Sequence, residues 1–480
     1  MNERLVLSVL SAQMTIPNIV IDYGYIFRLG DLPLPIMLWQ IFWDFGWIPF
    51  VIIVFKGSWK LWVQWRQNKY AATIETCLLA VEVPRQNEQT AKAVEHIFAT
   101  LSGAYSGLDR FEKYWLGKFQ PTFSFEIASI NGYVQFVVHT WTKHRDLVEA
   151  AIFAQYPDAE VVEIADYTSG IPTKYPHPEW NVFGTEFVLK RPSHLPIRTY
   201  SEFEHTSAED PFKDPISALL EVMGSLKSGE QMWFQLLVNP TDSSWKDAGQ
   251  KAVEKMLGRK PTPKKSSFDE AMWLPKGVAK EVASLLSTPS EGGKKEEKKD
   301  DFRVLNMSPG ERSVVEAVQM KLAKIGFEAK MRIVYAGRRD IFNKKRFTAI
   351  KGALMQYNAL NMNEIKTYGK VTPKDDYFHE RWSVWQKKMK LVRCFRGRSG
   401  KGAPSYVLNI EELATLYHFP MRLVKTPLLK KTDAKRAEPP AALPMLGEST
   451  EGFFKPIKKT STKDQASDSA GEPPADLPFA

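Results

Sequence analysis

The dipeptide Asn131-Gly132 constrains the fold of this chain more than any other feature, because it joins two β-rich stretches through a two-residue turn. Asn-Gly favours the positive backbone angles that tight hairpins require. The resulting register pairs large apolar residues on one face of the hairpin: Ile130 with Tyr133, Phe125 with Val138, and Ile127 with Phe136. Turn chemistry and residue pattern therefore agree on an antiparallel hairpin.

The elements around this hairpin follow one another in a recognisable order. A β-rich stretch at 77–83 precedes a helix at 94–101, whose apolar residues recur at helical spacing on one face. A second helix and the strand 160–164 follow the hairpin. The order strand, helix, strand, strand, helix, strand is typical of a ferredoxin-like domain, with an antiparallel sheet and two helices on one face, here predicted over 73–166.

A second ferredoxin-like domain is predicted in two pieces, 180–258 and 303–429, so the expected fold class is α+β. Residues 259–302 interrupt it and are rich in Lys, Pro, Ser and Gly, a composition that cannot bury a core. We therefore expect this linker to be disordered. The same reasoning predicts a disordered tail over 430–480.

The most apolar stretch of the chain, 36–55, contains only Gln40 and Asp44 as strongly polar residues. It is long enough to cross a hydrocarbon core as a helix, and tryptophans flank it on both sides, so the sequence predicts a transmembrane helix. Four basic residues and no acid in 56–69 then predict a single-pass inner-membrane protein with an extracytoplasmic segment 1–35 and a cytoplasmic remainder. A buried or interfacial helix is the alternative.

The sequence offers no recognisable catalytic, cofactor or metal site. The stretch 397–402 resembles a phosphate-binding loop, but it lacks the Gly and the hydroxyl residue that such a loop needs on either side of its Gly-Lys pair. It is better interpreted as a basic turn. Cys77 and Cys394 lie in apolar stretches, where buried reduced thiols are common. We therefore expect a protein that is not an enzyme and binds no cofactor.

Positive charge is concentrated in two segments, although the net charge of the whole chain is only +10 at pH 7. Segments 330–346 and 387–401 together carry fourteen basic residues and one acid. This concentration indicates either nucleic acid, with Trp382, Trp385 and Phe395 nearby for stacking, or a basic face toward lipid or an acidic subunit. The candidate contact residues are Lys330, Arg332, Arg338, Arg339, Lys344, Lys345, Arg346, Lys387, Lys388, Lys390, Arg393, Arg396, Arg398 and Lys401.

Several longer motifs occur in a characteristic order. They are LLAVEVPRQNEQTAKAVEHIFATL at 78–101, the hairpin at 123–138, RDLVEAAIFAQYPDAEV at 145–161, EELATLYHFP at 411–420, VKTP at 424–427 and AEPPAALP at 437–444. In this order they resemble the membrane-anchored region that precedes the motor in coupling-protein-like and TraC-like ATPases of bacterial type IV secretion and conjugation systems. The ATPase domain of that family has no counterpart in this sequence, which lacks its phosphate-binding motif.

The resemblance implies a non-enzymatic, membrane-anchored scaffold that forms oligomers and docks a separately encoded P-loop ATPase. The residues expected to contact this motor are Glu411, Leu413, Leu416, Tyr417, Phe419 and Pro420, for which core packing is the alternative. A second hypothesis is a membrane-tethered protein that binds DNA or another nucleic acid through 330–346 and 387–401. The expected partners are thus an ATPase, membrane lipid and, in the second hypothesis, nucleic acid.

Overall fold

The computed structural model describes residues 13–16, 19–22, 33–84, 87–204, 214–257, 307–374 and 378–421. The predicted linker 259–302 and the predicted tail 430–480 lie outside these residues, as does most of the predicted segment 1–35. The chain divides into two compact units. The N-terminal unit contains the residues before Glu75 together with Gly107–Phe119, and the sheet unit contains the remainder.

Two helices dominate the N-terminal unit. They are α1, Leu34–Phe45, and α2, Trp47–Ala71, and they meet at Gly46, whose N–H donates to the Phe42 carbonyl at 2.7 Å. The unit also contains the antiparallel strands β1 and β2 and one π-helical turn. These elements are β1, Gln13–Ile16, β2, Ile19–Asp22, and the turn Glu112–Leu116.

The predicted transmembrane helix 36–55 is wrong. Gly46 divides the apolar stretch between two helices, and the 12 residues of α1 extend about 18 Å, short of the ~30 Å of a hydrocarbon core. α2 is longer, but Lys56 and Lys60 interrupt its apolar part. Among all helices of the described ranges, none combines the length and the apolar character needed to cross a membrane. The single-pass topology, the orientation and the inner-membrane localisation predicted from this stretch are corrected with it.

The first half of the sheet unit has the predicted ferredoxin-like order of elements. Its strands lie in the order β4-β5-β3-β6, and every neighbouring pair is antiparallel. The hairpin register predicted from Asn131 and Gly132 is confirmed, with φ angles of 56° and 90° at these two residues. The elements are β3, Thr76–Glu82, α3, Ala91–Leu101, β4, Phe123–Ile130, β5, Tyr133–Trp141, α4, Arg145–Gln155, and β6, Glu160–Glu163.

The second half repeats this arrangement with the strand order β8-β9-β7-β10. Two additional helices, α7 and α8, lie between its second and third strands. In the sequence, α7 precedes and α8 follows residues 258–306, which lie outside the described ranges. The elements are β7, Trp180–Leu189, α5, Tyr200–Glu204, α6, Ser217–Gly224, β8, Glu230–Pro240, α7, Ser244–Met256, α8, Pro309–Ala323, β9, Gly326–Arg338, α9, Lys345–Met355, and β10, Ile365–Thr367.

The two halves share one antiparallel sheet. β4 pairs with β8 from Phe123 opposite Val238 to Ile130 opposite Gln231, so the second strands of the two halves join them. The resulting nine-stranded sheet has the order β10-β7-β9-β8-β4-β5-β3-β6, and β11, Tyr406–Asn409, pairs with the beginning of β9. The class is α+β, but the halves form one continuous unit where two separate sheet domains were predicted.

Both faces of the sheet are covered. Helices α3, α4, α6 and α9, with α11, Ile410–Leu416, pack on one face around a core that spans both halves. Phe98 of α3 shows this continuity, because its ring lies 4.7 Å from that of Phe125 in the first half and 6.2 Å from that of Phe327 in the second. On the other face, α10, Phe378–Arg396, places Phe395 against Trp233.

Candidate functional site

The residues predicted to dock a motor lie in the core of the sheet unit. Glu411 is half-buried, and its carboxylate lies 2.9 Å from the ammonium group of Lys324. The other five are buried: Leu413, Leu416, Tyr417, Phe419 and Pro420. Their side chains pack in the folded protein, so core packing describes them, and docking of an ATPase through them stays an untested prediction.

Part of the predicted anion-binding set is also buried, and Arg332 is the clearest case. Its guanidinium is fully buried and donates to one carboxylate oxygen of Glu186 at 2.9 and 2.7 Å and to the amide oxygen of Gln235 at 2.7 Å. Strand register aligns these residues with Glu126, because Glu126 lies opposite Gln235, Gln235 opposite Arg332, and Arg332 opposite Glu186. We call these four residues the polar row.

The loop 397–402, which resembles a phosphate-binding loop in sequence, covers the polar row. The carbonyls of Ser399 and Lys401 accept hydrogen bonds from Arg332, both at 3.1 Å, and the carbonyl of Gly400 accepts from Lys330. Its backbone carbonyls thus bind cations within the protein. The loop therefore stabilises the fold by accepting hydrogen bonds from buried cations, although its composition resembles that of a phosphate-binding loop.

Arg398 of the same loop also points into the protein. Its guanidinium contacts the carboxylates of Glu126 at 3.2 Å and of Asp166 at 2.5 Å. Burial alone would raise the pKa of Glu126, but the charge and hydrogen bonds of Arg398 outweigh it and hold this pKa below its ordinary value. The buried carboxylate of Glu126 is therefore charged and compensated. Two more members of the predicted set have internal partners: Arg396 donates to the carbonyl of Ile171, and Lys388 donates to the side-chain oxygen of Asn181.

The remaining basic residues lie closer to solvent. Lys387 and Arg346 are half-buried, and Arg346 contacts Glu230 at 3.3 Å. The exposed members of the predicted set are Arg338, Arg339, Lys344, Lys345, Lys390, Arg393 and Lys401. Seven of the fourteen residues of the set are thus exposed to solvent.

A surface that sequence reasoning did not identify lies on the N-terminal unit. None of the 25 residues of α2 is buried, although its sequence contains seven Ile, Leu or Val side chains and seven aromatic ones. A helix with large apolar side chains on a globular protein normally buries one face. The apolar residues of α2 that stay exposed include Phe50, Ile53, Val54, Phe55 and Leu61, each at least 66% exposed.

Two tryptophans of α2 pack against the segment 107–119 of the same unit. The rings of Trp59 and Tyr114 lie 5.9 Å apart, as do those of Trp62 and Trp115. These rings remain between 37% and 56% exposed even with these contacts. The pairs therefore fix the orientation of the rings and still leave them on the surface.

Arg66 connects the helix to this segment. Its side chain donates to the Trp115 carbonyl, and its guanidinium lies 5.9 Å from the ring centre of Trp62. Gly117 permits the approach, because it has a φ of 74° and a side chain there would overlap the backbone of Arg66. Lys69 lies 4.1 Å from the ring centre of Trp65. Cationic groups are thus interleaved with the aromatic rings.

α1 adds a second pair of exposed rings. Trp39 and Trp43 stack with their ring centres 6.1 Å apart, and they are 67% and 72% exposed. We define the aromatic–basic surface as the exposed side chains of α1, α2 and 107–119. The segments that form it, 34–74 and 107–119, contain seven basic residues and three acidic ones.

The sequence pattern assigned the tryptophans of α1 and α2 to the flanks of a membrane-spanning helix, and it therefore did not identify the aromatic–basic surface. The signal that could have identified it is the spacing of Trp59, Trp62 and Trp65, one turn apart and alternating with Lys60 and Arg66. A run that combines basic and aromatic residues in this way is typical of an interfacial helix.

The described residues contain no group of three or more side chains that could hold a metal ion. Cys77 and Cys394 are buried and unpaired, as expected, and burial raises the pKa of the Cys77 thiol. A groove of about 260 Å³ lies beside α8, where Glu411 is one of the lining residues. Lys324 and Ser201 already engage that carboxylate, so the groove presents an internally compensated charge.

Comparison with known proteins identifies one family. A family with the description "Domain of unknown function (DUF8128)" matches residues 75–432. No curated protein matches the chain. The family match contains no evidence for secretion or conjugation, and no helix of the described ranges could cross a membrane. The expectation of a secretion or conjugation protein with a transmembrane helix is therefore corrected: the findings support an α+β protein with a domain of unknown function.

Proposed function

The chain belongs to this family of unknown function, and we propose that it is a scaffold whose N-terminal unit binds the surface of an anionic membrane without crossing the bilayer. The observation that carries the proposal is the 25-residue helix α2, of which no residue is buried. Exposed apolar areas of this extent mark sites of interaction with a partner or a lipid surface.

The composition of the aromatic–basic surface favours lipid. Tryptophan rings prefer the headgroup region, where their apolar faces and their N–H groups are both accommodated. The basic residues add attraction to anionic headgroups, about 1 kcal/mol for each Lys or Arg near the surface. Seven basic residues against three acidic ones give the required sign of charge. An anionic bilayer accommodates aliphatic, aromatic and cationic groups at one surface. A protein partner would need a matching surface for all three kinds of group.

The sheet unit supplies the scaffold in this proposal. Its edge strands β6 and β10 have only four and three residues, so the sheet offers little edge for pairing with another chain. Its charged interior is compensated at the polar row. In this proposal the N-terminal unit holds the protein at the membrane, and the sheet unit offers its surfaces to other molecules.

Vesicle flotation tests the proposal on the full chain. We expect the protein to float with vesicles of phosphatidylcholine and phosphatidylglycerol, and to float less with phosphatidylcholine alone or at high salt, because salt screens headgroup attraction. Replacing Trp39 and Trp43 by Ser should lower the partition coefficient about tenfold or more, since both rings lose their burial in the interface.

Two matched variants serve as controls. Trp382→Ser removes an 81% exposed tryptophan from the sheet unit and should leave flotation unchanged. Lys56→Glu with Lys60→Glu should reduce binding to anionic vesicles, whereas Lys251→Glu with Lys366→Glu, an equal change of charge at exposed positions of the sheet unit, should not. Failure of the wild-type chain to bind either kind of vesicle would exclude the proposal.

A further inference from the structure

We propose that the sheet unit carries a separate binding surface for single-stranded nucleic acid, formed by α10 and the segment Arg338–Lys345. The two segments are far apart in sequence, and the fold brings them to one corner of the sheet. Lys388 of α10 donates to the side chain of Asn181 at 2.7 Å, and Asn181 lies opposite Gly337 in the strand pairing. The inference is independent of the lipid-binding proposal.

The basic groups at this corner are held in place by the fold. Arg338 lies opposite Trp180 at the end of β9, and the guanidinium of Arg339 donates to the His177 carbonyl at 2.8 Å. The ammonium group of Lys344 lies 4.8 Å from the ring centre of Phe183. Along this segment the exposed acid is Asp340, so positive charge dominates.

α10 supplies exposed aromatic rings of its own. Its buried stripe is formed by Val384, Lys388, Leu391, Val392 and Phe395. Trp382 lies away from this stripe and is 81% exposed, whereas Trp385 flanks the stripe, is 36% exposed and has its ring centre 4.7 Å from the Lys388 ammonium group. Lys390 and Arg393 are exposed on the following turns. α10 thus carries rings for base stacking and basic groups for phosphate contact on one helix.

This combination fits a single strand better than it fits a bilayer. Unpaired bases expose their faces to aromatic side chains, and the phosphates follow a groove or ridge of basic residues. Lipid docking needs a continuous apolar area. The exposed face of α10 has two separate tryptophans among polar and basic residues, whereas the continuous apolar area lies on the N-terminal unit.

Fluorescence anisotropy with a labelled oligothymidine tests this surface on the full chain. We expect binding that weakens steeply with salt, as counterion release requires. Replacing both Lys344 and Lys345 by Ala should weaken binding and reduce the slope of log K against log salt by about 1.4, the value for two phosphate contacts on a single strand. Trp382→Ala should weaken binding roughly tenfold through lost stacking.

Controls separate this surface from general charge and from lipid binding. Lys251→Ala with Lys366→Ala removes two exposed lysines elsewhere on the sheet unit and should leave oligothymidine binding unchanged. Trp39→Ser with Trp43→Ser should also leave it unchanged. Equal losses of oligothymidine binding in the Lys344/Lys345 and Lys251/Lys366 variants would overturn the assignment. It would also be overturned if the Lys344/Lys345 variant lost vesicle binding and kept oligothymidine binding.

Discussion

Arg332 is fully buried and charged, and residues from several elements satisfy it. Glu186 and Gln235 accept from it along the polar row, and the carbonyls of Cys394, Ser399 and Lys401 complete its hydrogen bonds. A buried ion pair is compensated only when the remaining donors of the cation are also bonded. The position of Arg332 therefore depends on β7, β8 and the loop 397–402 together.

Replacing Arg332 by Met should destabilise the sheet unit by about 3–5 kcal/mol, because Glu186 would remain buried without its counterion. Urea unfolding followed by circular dichroism measures this change. Arg339→Met, at an exposed position, should change the free energy of unfolding by no more than about 0.5 kcal/mol. If the two variants were equally stable, the polar row would not be a source of stability.

Sequence alone could not assign roles to these residues. The basic segments are visible as a local excess of charge, but Glu186 and Arg332 are 146 residues apart and Glu126 and Arg398 are 272 apart. Only the strand order brings each acid to its cation. A count of nearby charges therefore overestimated the number of groups available to an external anion.

At the scale of elements, the loop between α10 and β11 depends on one glycine. Gly402 has a φ of 125°, and a side chain there would overlap the carboxylate of Glu186. Gly402→Ala should destabilise the protein by about 1–3 kcal/mol, through backbone strain and displacement of that carboxylate. Thermal unfolding, measured beside Gly400→Ala, provides the comparison.

Gly400 belongs to the same loop, and a methyl group there would meet no atom within 4 Å. Gly400→Ala should therefore change stability by about 0.5 kcal/mol or less. Similar destabilisation by both substitutions would show that the loop tolerates no side chain at all, and that contact with Glu186 is not the cause.

Local patterns predicted some elements and failed on others for physical reasons. The register of the hairpin β4–β5 follows from a two-residue turn, which is a local constraint, and it is confirmed. The transmembrane helix followed from hydropathy over 36–55, and this measure ignores the junction at Gly46 and the lysines beyond it. Pairing of β4 with β8 depends on contacts about 110 residues apart, which no local period encodes.

At the scale of the whole sheet unit, the join between β4 and β8 makes two ferredoxin-like halves into one structure. Eight residue pairs link these strands, and Phe98 and Phe125 share a core with Phe327 across the join. Neither half could keep its buried residues covered if the other unfolded. Separating the halves would expose apolar surface at the join to water, and the free-energy cost of this exposure favours the joined structure.

The two halves should therefore unfold in one transition. Phe98→Ala in the first half and Phe347→Ala in the second each create a cavity, which should lower the free energy of unfolding by about 3–5 kcal/mol. Both substitutions should lower the urea midpoint of the whole sheet unit. Hydrogen exchange of β3–β6 and β7–β10 at increasing urea measures this directly, with Phe153→Ala, an exposed phenylalanine on α4, as the control. Loss of protection in one half at a lower urea concentration than in the other would contradict a shared unfolding unit. A common transition is expected because the strand join and the core both extend across the two halves.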